Sequence, residues 1–362
     1  MPADELSKAQ RLRGNEPPRT GGSYYPLFLG LVLFARPELL VIGLAVWLIV
    51  ASHFRRRGGQ RYAITWPSDR SCAKLQPYVQ TVGHRVARAS HQPTGPWHFV
   101  VTAHSEAGAW VLESGHIFVT RGLLPYLSDE AELAGVLAHE IAHVTLRHSD
   151  AREQVTKAGF WLLPGLLRAH MTERWAQRWL CLFFFAYMRE QELAADALGA
   201  AYVARAGWDP SGCTRAMRTL GLLAQERVNK DPSSLREGLS THPAHSDRVA
   251  HLKATVSRLE IPSLDTGCEV YRRQISGVPL GDVPGNRIGF YRVRDGDTWE
   301  TIAVTTGREP VDAPRLALLN GQPHSTVPPV GADIKIVEAA ERVSRCSGGS
   351  FGGIGGGVDE GL

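Results

Sequence analysis

The order of apolar and polar positions over residues 128–144, SDEAELAGVLAHEIAHV, predicts an α-helix. Asp129, followed by Glu132 three residues later, is typical of a helix start because both side chains can satisfy free backbone N–H groups there. One face of this helix carries an apolar stripe made of Leu133, Val136, Leu137, Ile141 and Val144. The stripe predicts that the helix packs into a protein core.

Two further patterns predict β-structure. The stretch AWVLESGHIFVTRGLL, residues 109–124, alternates enough to predict strand, turn and strand. From Tyr291 to residue 337 the chain predicts a strand, two helices and a closing strand, with Thr298 near the first helix start. The expected fold class is therefore α+β.

The predicted elements group into two domains. Residues 60–260 are expected to form a mainly helical domain with a small β-sheet, and residues 291–337 a small βααβ domain. Residues 261–290, which carry Pro and Gly, are expected to link them. Residues 338–362 are too rich in glycine to pack and are expected to be disordered.

An apolar run near the N-terminus, residues 27–51, is long enough to cross a bilayer. Arg36, Pro37 and Glu38 interrupt it, so a kinked span, a re-entrant hairpin and a buried core helix all stay open. We predict that residues 27–54 form a membrane anchor that follows a flexible N-terminus of residues 1–26.

The charge and the cysteine content of the chain argue against several classes of function. The formal net charge of +4 is spread along the chain without a basic stripe, so no nucleic-acid partner is expected. The five cysteines show no CxxC spacing, which excludes a zinc ribbon and a thioredoxin-like motif. Cys268 and Cys346 are compatible both with a disulfide in an oxidising compartment and with two free thiols.

The helix over residues 128–144 also carries candidate chemistry in the letters HEIAH. His139 and His143 lie one turn apart on one face and can both reach a tetrahedral Zn²⁺, while Glu140 beside them can take a proton from metal-bound water. The metzincin pattern would require glycine and histidine where this chain has Leu146 and Ser149. His148 is therefore expected to be a surface residue.

A third zinc ligand is predicted further along the chain, in YMREQELAADALGAAY. Glu192 and Asp196 share one helical face, and small residues around them permit close helix packing. Glu192 could then reach the metal, and Asp196 could hold the second nitrogen of a ligating imidazole. An alanine-rich helix with solvated carboxylates is the open alternative.

Three segments, SGHIFVTRGLLPYLSDEAELAGVLAHEIAHV, YMREQELAADALGAAY and STHPAHSDRVAHL, resemble the zinc metallopeptidase family that contains HtpX, BepA and the CAAX prenyl proteases. The resemblance covers about residues 78–252. It implies a zincin-type domain with one Zn²⁺ held by His139, His143 and Glu192, and with Glu140 as the general base. The ESG sequence before the second strand departs from the Pro-Gly-Gly often found in that family, which leaves the shape of the loop on the substrate side open.

Two more site predictions accompany this resemblance. Trp110, Val111 and Leu112 are expected to form an edge strand that binds extended substrate, with an internal hairpin without ligand as the equal alternative. His242, which precedes Pro243, is expected on a loop that enters a helix. It would occupy the open zinc position and keep the enzyme latent, stabilise the oxyanion, or be a plain helix-entry residue.

The βααβ domain resembles a LysM module, which implies binding to peptidoglycan, although a packing role fits almost as well. The combined reading is a membrane-anchored zinc endopeptidase that cleaves misfolded or mislocalised envelope proteins. We expect it in the inner membrane with a periplasmic catalytic domain, although the basic residues that follow the anchor favour the cytoplasmic side. A non-catalytic scaffold that binds the cell wall and carries a structural metal is the alternative, and a peptidoglycan hydrolase is a third interpretation.

Overall fold

A computed structural model describes most of the chain beyond the predicted anchor. The described residues are 70–149, 173–230, 245–259, 264–281, 286–306 and 313–338. The predicted anchor at 27–54, His242, Cys346 and the glycine-rich tail lie outside them. No helix in the described ranges combines the length and the apolar character that crossing a bilayer requires.

The main body is built from six helices and a three-stranded sheet within the described residues. The helices are α1 (Arg70–Ala89), α2 (Glu130–Thr145), α3 (Glu173–Arg205), α4 (Ser211–Lys230), α5 (His245–Arg258) and α6 (Cys268–Ile275). The strands are β1 (His98–Thr102), β2 (Ala109–Val111) and β3 (His116–Thr120), and a 3₁₀ turn covers Leu124–Tyr126. The prediction of a mainly helical domain with a small β-sheet is confirmed.

Helix α2 is the centre of this body. Asp129 caps it by accepting a hydrogen bond from the backbone N–H of Glu132, as predicted. Leu133, Leu137 and Ile141 of the apolar stripe are fully buried in the core, where α1, α3 and α4 pack around the helix. Burial on nearly all sides fixes the direction in which the polar residues of α2 point.

The sheet has the strand order β1, β3, β2. Strand β3 pairs in parallel with β1 and antiparallel with β2, with Trp110 opposite Phe118. The rings of this pair stack with their centroids 5.2 Å apart. In the described part of the chain β2 is therefore an outer strand, and it lies next to α2.

The C-terminal unit consists of β4 (Arg287–Arg292), α7 (Trp299–Thr305), α8 (Ala313–Leu319) and β5 (Asp333–Glu338). The two strands pair antiparallel, and Thr298 caps α7. This is the predicted order of elements, whereas the resemblance to LysM stays a prediction. Trp299 and Ile302 lie in a small core that belongs to this unit alone.

The unit is closely attached to the main body. Leu318 and Leu319 are buried in the main core, and Lys335 donates hydrogen bonds to the carbonyl oxygens of Pro125 and Leu127, both at 2.9 Å. The segment expected to be a linker also differs from a flexible connection, because it contains α6. Tyr271 of α6 is fully buried and donates its hydroxyl hydrogen to Leu124 O.

Candidate metal centre

Helix α2 brings His139, Glu140 and His143 into the protein interior. The Nε2 atoms of the two histidines lie 2.9 Å apart, as expected for imidazoles one helical turn apart that face the same point. Glu140 is buried and lines a cavity next to His139. The HEIAH sequence therefore presents two nitrogen donors and one carboxylate to one region.

Glu192 reaches the same point from α3. Its side chain is fully buried, with Oε2 3.4 Å from His139 Nε2 and Oε1 3.5 Å from His143 Nε2. Gly199 permits the close approach of the two helices, since a Cβ atom there would lie 3.2 Å from the backbone nitrogen of His139. This is the close packing of small residues that the sequence predicted.

We call His139, His143 and Glu192 the metal group. In the described ranges it is the one set of at least three His, Cys, Asp or Glu side chains whose donor atoms all lie within 4.8 Å of one another. Tetrahedral zinc with bonds of about 2.0–2.1 Å separates its ligands by about 3.3–3.4 Å, and imidazole nitrogen and carboxylate oxygen are both ligands that it prefers. The donor set and the two distances to Glu192 therefore fit zinc, while the 2.9 Å between the histidine nitrogens is shorter than this separation.

Asp196 lies one turn beyond Glu192 and contacts the other nitrogen of His139. Its Oδ1 is 2.9 Å from His139 Nδ1. Burial alone would lower the pKa of His139, but the hydrogen bonds with Asp196 and Glu192 outweigh burial and raise this pKa to about 9. The surroundings of His139 therefore favour positive charge, which is the electrostatic condition that a cation site needs.

Arg248 of α5 is a residue of the site that sequence reasoning missed. Its side chain is 1% exposed, and Nη1 lies 3.0 Å from Glu192 Oε2. Its Nε and Nη2 donate to Asp196 Oδ2 and Oδ1, both at 2.8 Å. Burial would raise the pKa of Asp196, but hydrogen bonds from Arg248 and His139 hold it below its usual value.

The sequence contained a signal for this arginine. Arg248 precedes Leu252 by four residues, so both lie on one face of α5, and Leu252 is 1% exposed. An arginine on the apolar face of a helix requires a buried carboxylate partner. The partner itself lies on α3, which the spacing within α5 does not reveal.

His148 was predicted to lie on the surface, and this prediction is wrong. Helix α2 ends at Thr145, and Arg147 adopts a φ of 53°, which turns the chain back on itself. The turn buries His148 and places its Nδ1 2.8 Å from Nδ1 of His143. If Nε2 of His143 faces a metal, its Nδ1 carries the proton and donates it to His148.

The remaining predicted site residues are placed as follows. Trp110 and Val111 lie on β2, the outer strand, and Leu112 follows the strand and is 49% exposed. These positions are compatible with an edge that receives an extended chain. His242 lies outside the described residues, so its role stays a prediction.

Comparison with known proteins agrees with this geometry. Residues 73–256 match the model of peptidase family M48. The chain is 28% identical over 201 residues to the beta-barrel assembly-enhancing protease of Yersinia pestis, a match that covers 51% of this chain and 40% of that protein. It is 30% identical over 158 residues to the mitochondrial metalloendopeptidase OMA1 of Saccharomyces cerevisiae, covering 43% of this chain and 45% of that protein.

A third relative, the mitochondrial metalloendopeptidase OMA1 of Schizosaccharomyces pombe, is 28% identical over 210 residues, covering 55% of this chain and 59% of that protein. The matches thus span about half the length of these relatives. The matched region contains α2, α3 and all of α5 except its last two residues, and these helices supply the metal group together with Glu140, Asp196 and Arg248. The chain therefore belongs to peptidase family M48.

Proposed function

We propose that this chain is a zinc-dependent endopeptidase in which the metal group binds one Zn²⁺ and Glu140 is the general base. The observation that carries the proposal is the convergence of the three donors of the metal group within 4.8 Å, beside a carboxylate that lines a cavity. Membership in the peptidase family supplies the class of reaction.

Zinc held at this position would polarise the scissile carbonyl and make an attacking water more acidic. Glu140 accepts the proton of that water and then passes it to the departing amine, because a carboxylate next to the reacting atoms can serve in both steps. Asp196 accepts the Nδ1 proton of His139, which leaves the lone pair on Nε2 directed at the metal.

Arg248 acts as a positioning residue in this scheme. Glu192 and Asp196 are two buried carboxylates within reach of one guanidinium, and buried carboxylates without compensating charge would destabilise the site. Two parallel hydrogen bonds to Asp196 also fix the plane of that carboxylate. Arg248 thereby keeps both carboxylates in place whether or not a metal is bound.

The alternative function, a scaffold with a structural metal, is supported less well. A structural zinc site fills all four positions with protein ligands and has no use for an adjacent base. Here Glu140 stands beside the metal group and lines an open cavity. A cavity that reaches the metal group is what a hydrolase needs for access of its substrate.

We propose polypeptides of the cell envelope, misfolded or mislocalised, as the substrates. The Yersinia pestis relative is a beta-barrel assembly-enhancing protease, which supports a substrate of this kind. The outer position of β2 supports an extended polypeptide, because such a chain could pair with this strand by backbone hydrogen bonds. Residues 27–54 would anchor the enzyme in the inner membrane with the catalytic domain in the periplasm, and residues 291–337 would bind peptidoglycan. Protease treatment of intact spheroplasts tests the orientation: full protection of the catalytic domain would contradict it.

The test of activity uses the purified full chain loaded with zinc and a reduced, unfolded protein as substrate. We expect internal cuts, identified by mass spectrometry, that a chelator abolishes and added zinc restores. The same protein in its native, disulfide-bonded form should be cut more slowly, since pairing with β2 needs an extended chain. Absence of zinc-dependent cuts, or removal of terminal residues only, would contradict the proposal.

A further inference from the structure

We propose that His98 and His116 bind a divalent transition-metal ion of the Zn²⁺, Ni²⁺ or Cu²⁺ class on the surface of the three-stranded sheet. We call this pair, together with Ser114, the sheet site. It shares no residue with the metal group, and it does not depend on the proposed endopeptidase function. Its two imidazoles come from neighbouring strands, so a bound ion would join β1 to β3.

The register of the strands places both histidines on one face of the sheet. Strands β1 and β3 run in parallel, with His98 directly opposite His116. Side chains alternate between the two faces of a strand, and the residues that follow, Phe99 and Ile117, are buried in the main core. His98 and His116 therefore point away from that core. His98 is exposed and His116 is half-buried, so an ion can reach both from solvent.

The two imidazole rings lie side by side. Their centroids are 4.5 Å apart, and their planes differ by 27°. Imidazole is a preferred ligand of zinc, nickel and copper. Zinc–nitrogen bonds of about 2.0–2.1 Å place two ligand nitrogens about 3.3–3.4 Å apart, so only a small rotation of the exposed His98 side chain is needed to bring both rings to one ion. The pair is therefore close to a chelating geometry, and water would fill the remaining positions around the ion.

Ser114 holds the ring of His116 through the nitrogen that does not bind the ion. Its Oγ lies 2.9 Å from His116 Nδ1. A serine hydroxyl accepts a hydrogen bond as readily as it donates one, so Nδ1 can carry the proton and donate it to Oγ. The lone pair of His116 is then on Nε2. Metal-binding histidines use this arrangement, in which the second nitrogen donates to an oxygen that fixes the orientation of the ring.

The turn before β3 explains why the serine is in place. Ser114 belongs to the ESG sequence, which stands where the family often has Pro-Gly-Gly, and a glycine at position 114 would have no side chain to hold His116. Gly115, with a φ of 82°, keeps the turn tight. Its N–H donates to Leu112 O, and its carbonyl oxygen accepts from the N–H of His98. The turn thus contacts both histidines of the sheet site.

The sheet site should bind its ion more weakly than the metal group does. It offers two neutral nitrogen donors on the protein surface, whereas the metal group offers three buried or partly buried donors, one of them a carboxylate. Dialysis should therefore empty the sheet site and leave the zinc of the metal group in place. The two sites can then be measured separately on the same protein.

The test titrates Ni²⁺ into the full chain after zinc loading and dialysis, with calorimetry as the readout. The wild type should bind a further ion that His98→Ala and His116→Ala each lose. Since the chain has 14 histidines, a control is needed, and His84→Ala provides it. His84 is an exposed histidine of α1 whose ring contacts Phe99 on the core side of β1, so this variant should bind Ni²⁺ as the wild type does. Absence of a further ion in the wild type, or unchanged affinity in His98→Ala, would overturn the proposal.

Two further measurements complete the test. Ser114→Gly should weaken the binding of Ni²⁺ by about 10- to 100-fold, whereas Ser114→Thr keeps the hydroxyl and should bind as the wild type does. An ion that binds only the folded state raises Tm, so Ni²⁺ should raise Tm of the wild type more than that of His98→Ala. Thermal unfolding without added Ni²⁺ verifies that each variant is folded. Equal increases in Tm, or unchanged affinity in Ser114→Gly, would contradict the sheet site.

Discussion

Arg248 and Asp196 form a two-point hydrogen bond, with both nitrogen–oxygen distances at 2.8 Å and with both side chains almost fully buried. Lysine would keep the charge but cannot form both parallel bonds. We therefore expect Arg248→Lys to weaken zinc binding by about 10- to 100-fold, the scale seen for partners of metal ligands. Competition with a chromogenic chelator measures this affinity.

The control for this change is Arg189→Lys. Arg189 also joins α3 to α5 through an ion pair, with Asp247, but both side chains are about half exposed. Exposed pairs contribute about 0–1 kcal/mol, so zinc affinity should not change. Equal affinities of the two variants would contradict the role assigned to Arg248.

Glu192→Ala should abolish the binding of zinc in stoichiometric amount, because two histidines alone leave the metal short of a protein ligand. Glu190→Ala changes an exposed glutamate of the same helix and should keep the full amount of metal. The zinc content of both variants is measured by metal analysis after dialysis. Full zinc content in Glu192→Ala would show that the third ligand is another residue.

His148 is expected to orient His143 through the contact between their Nδ1 atoms. His148→Ala removes the acceptor and should lower zinc affinity by about tenfold. His148→Asn offers a carbonyl oxygen near the position of Nδ1 and should recover part of the loss. If both variants bind zinc with the affinity of the wild type, the contact between His148 and His143 does not contribute to zinc binding.

The stability of the protein should depend on pH through Glu132. Burial, together with the nearby carboxylate of Asp129, raises the pKa of Glu132 from 4.5 to about 7. Between these values the folded state holds a proton that the unfolded state has lost, so the free energy of unfolding falls as pH rises, by at most about 1.4 kcal/mol per unit.

Glu132→Gln removes this titration and keeps an oxygen that can accept from Ser128 N–H. Denaturant unfolding at several pH values between 4.5 and 7 should therefore give a flatter profile for this variant than for the wild type. Parallel profiles would contradict the assignment.

The sequence predicted those parts of the fold that depend on neighbouring residues. Helix α2 follows from the spacing of its apolar residues and from its cap at Asp129, and the predicted turn between β2 and β3 follows from alternation around Gly115. His139 and His143 were predicted because the spacing of the HEIAH sequence puts both on one helical face. Glu192 was predicted from the face that it shares with Asp196, from the small residues around it and from the resemblance to the peptidase family.

The residues that the sequence did not predict owe their position to packing between distant segments. Arg248 contacts Asp196 across two helices 52 positions apart. The burial of His148 depends on the turn at Arg147 and on α3, from which Gln191 donates to its carbonyl oxygen. Neither contact can be deduced from the spacing of residues within one helix.

The most direct test of the central claim is a paired measurement on Glu140→Gln, with zinc content and peptide hydrolysis determined on the same preparation. Glutamine has almost the same shape as glutamate but cannot accept the proton. The account predicts about one zinc per chain, as in the wild type, and kcat/KM lowered by at least about 100-fold, the usual contribution of a general base. Full zinc content with undiminished hydrolysis would contradict it.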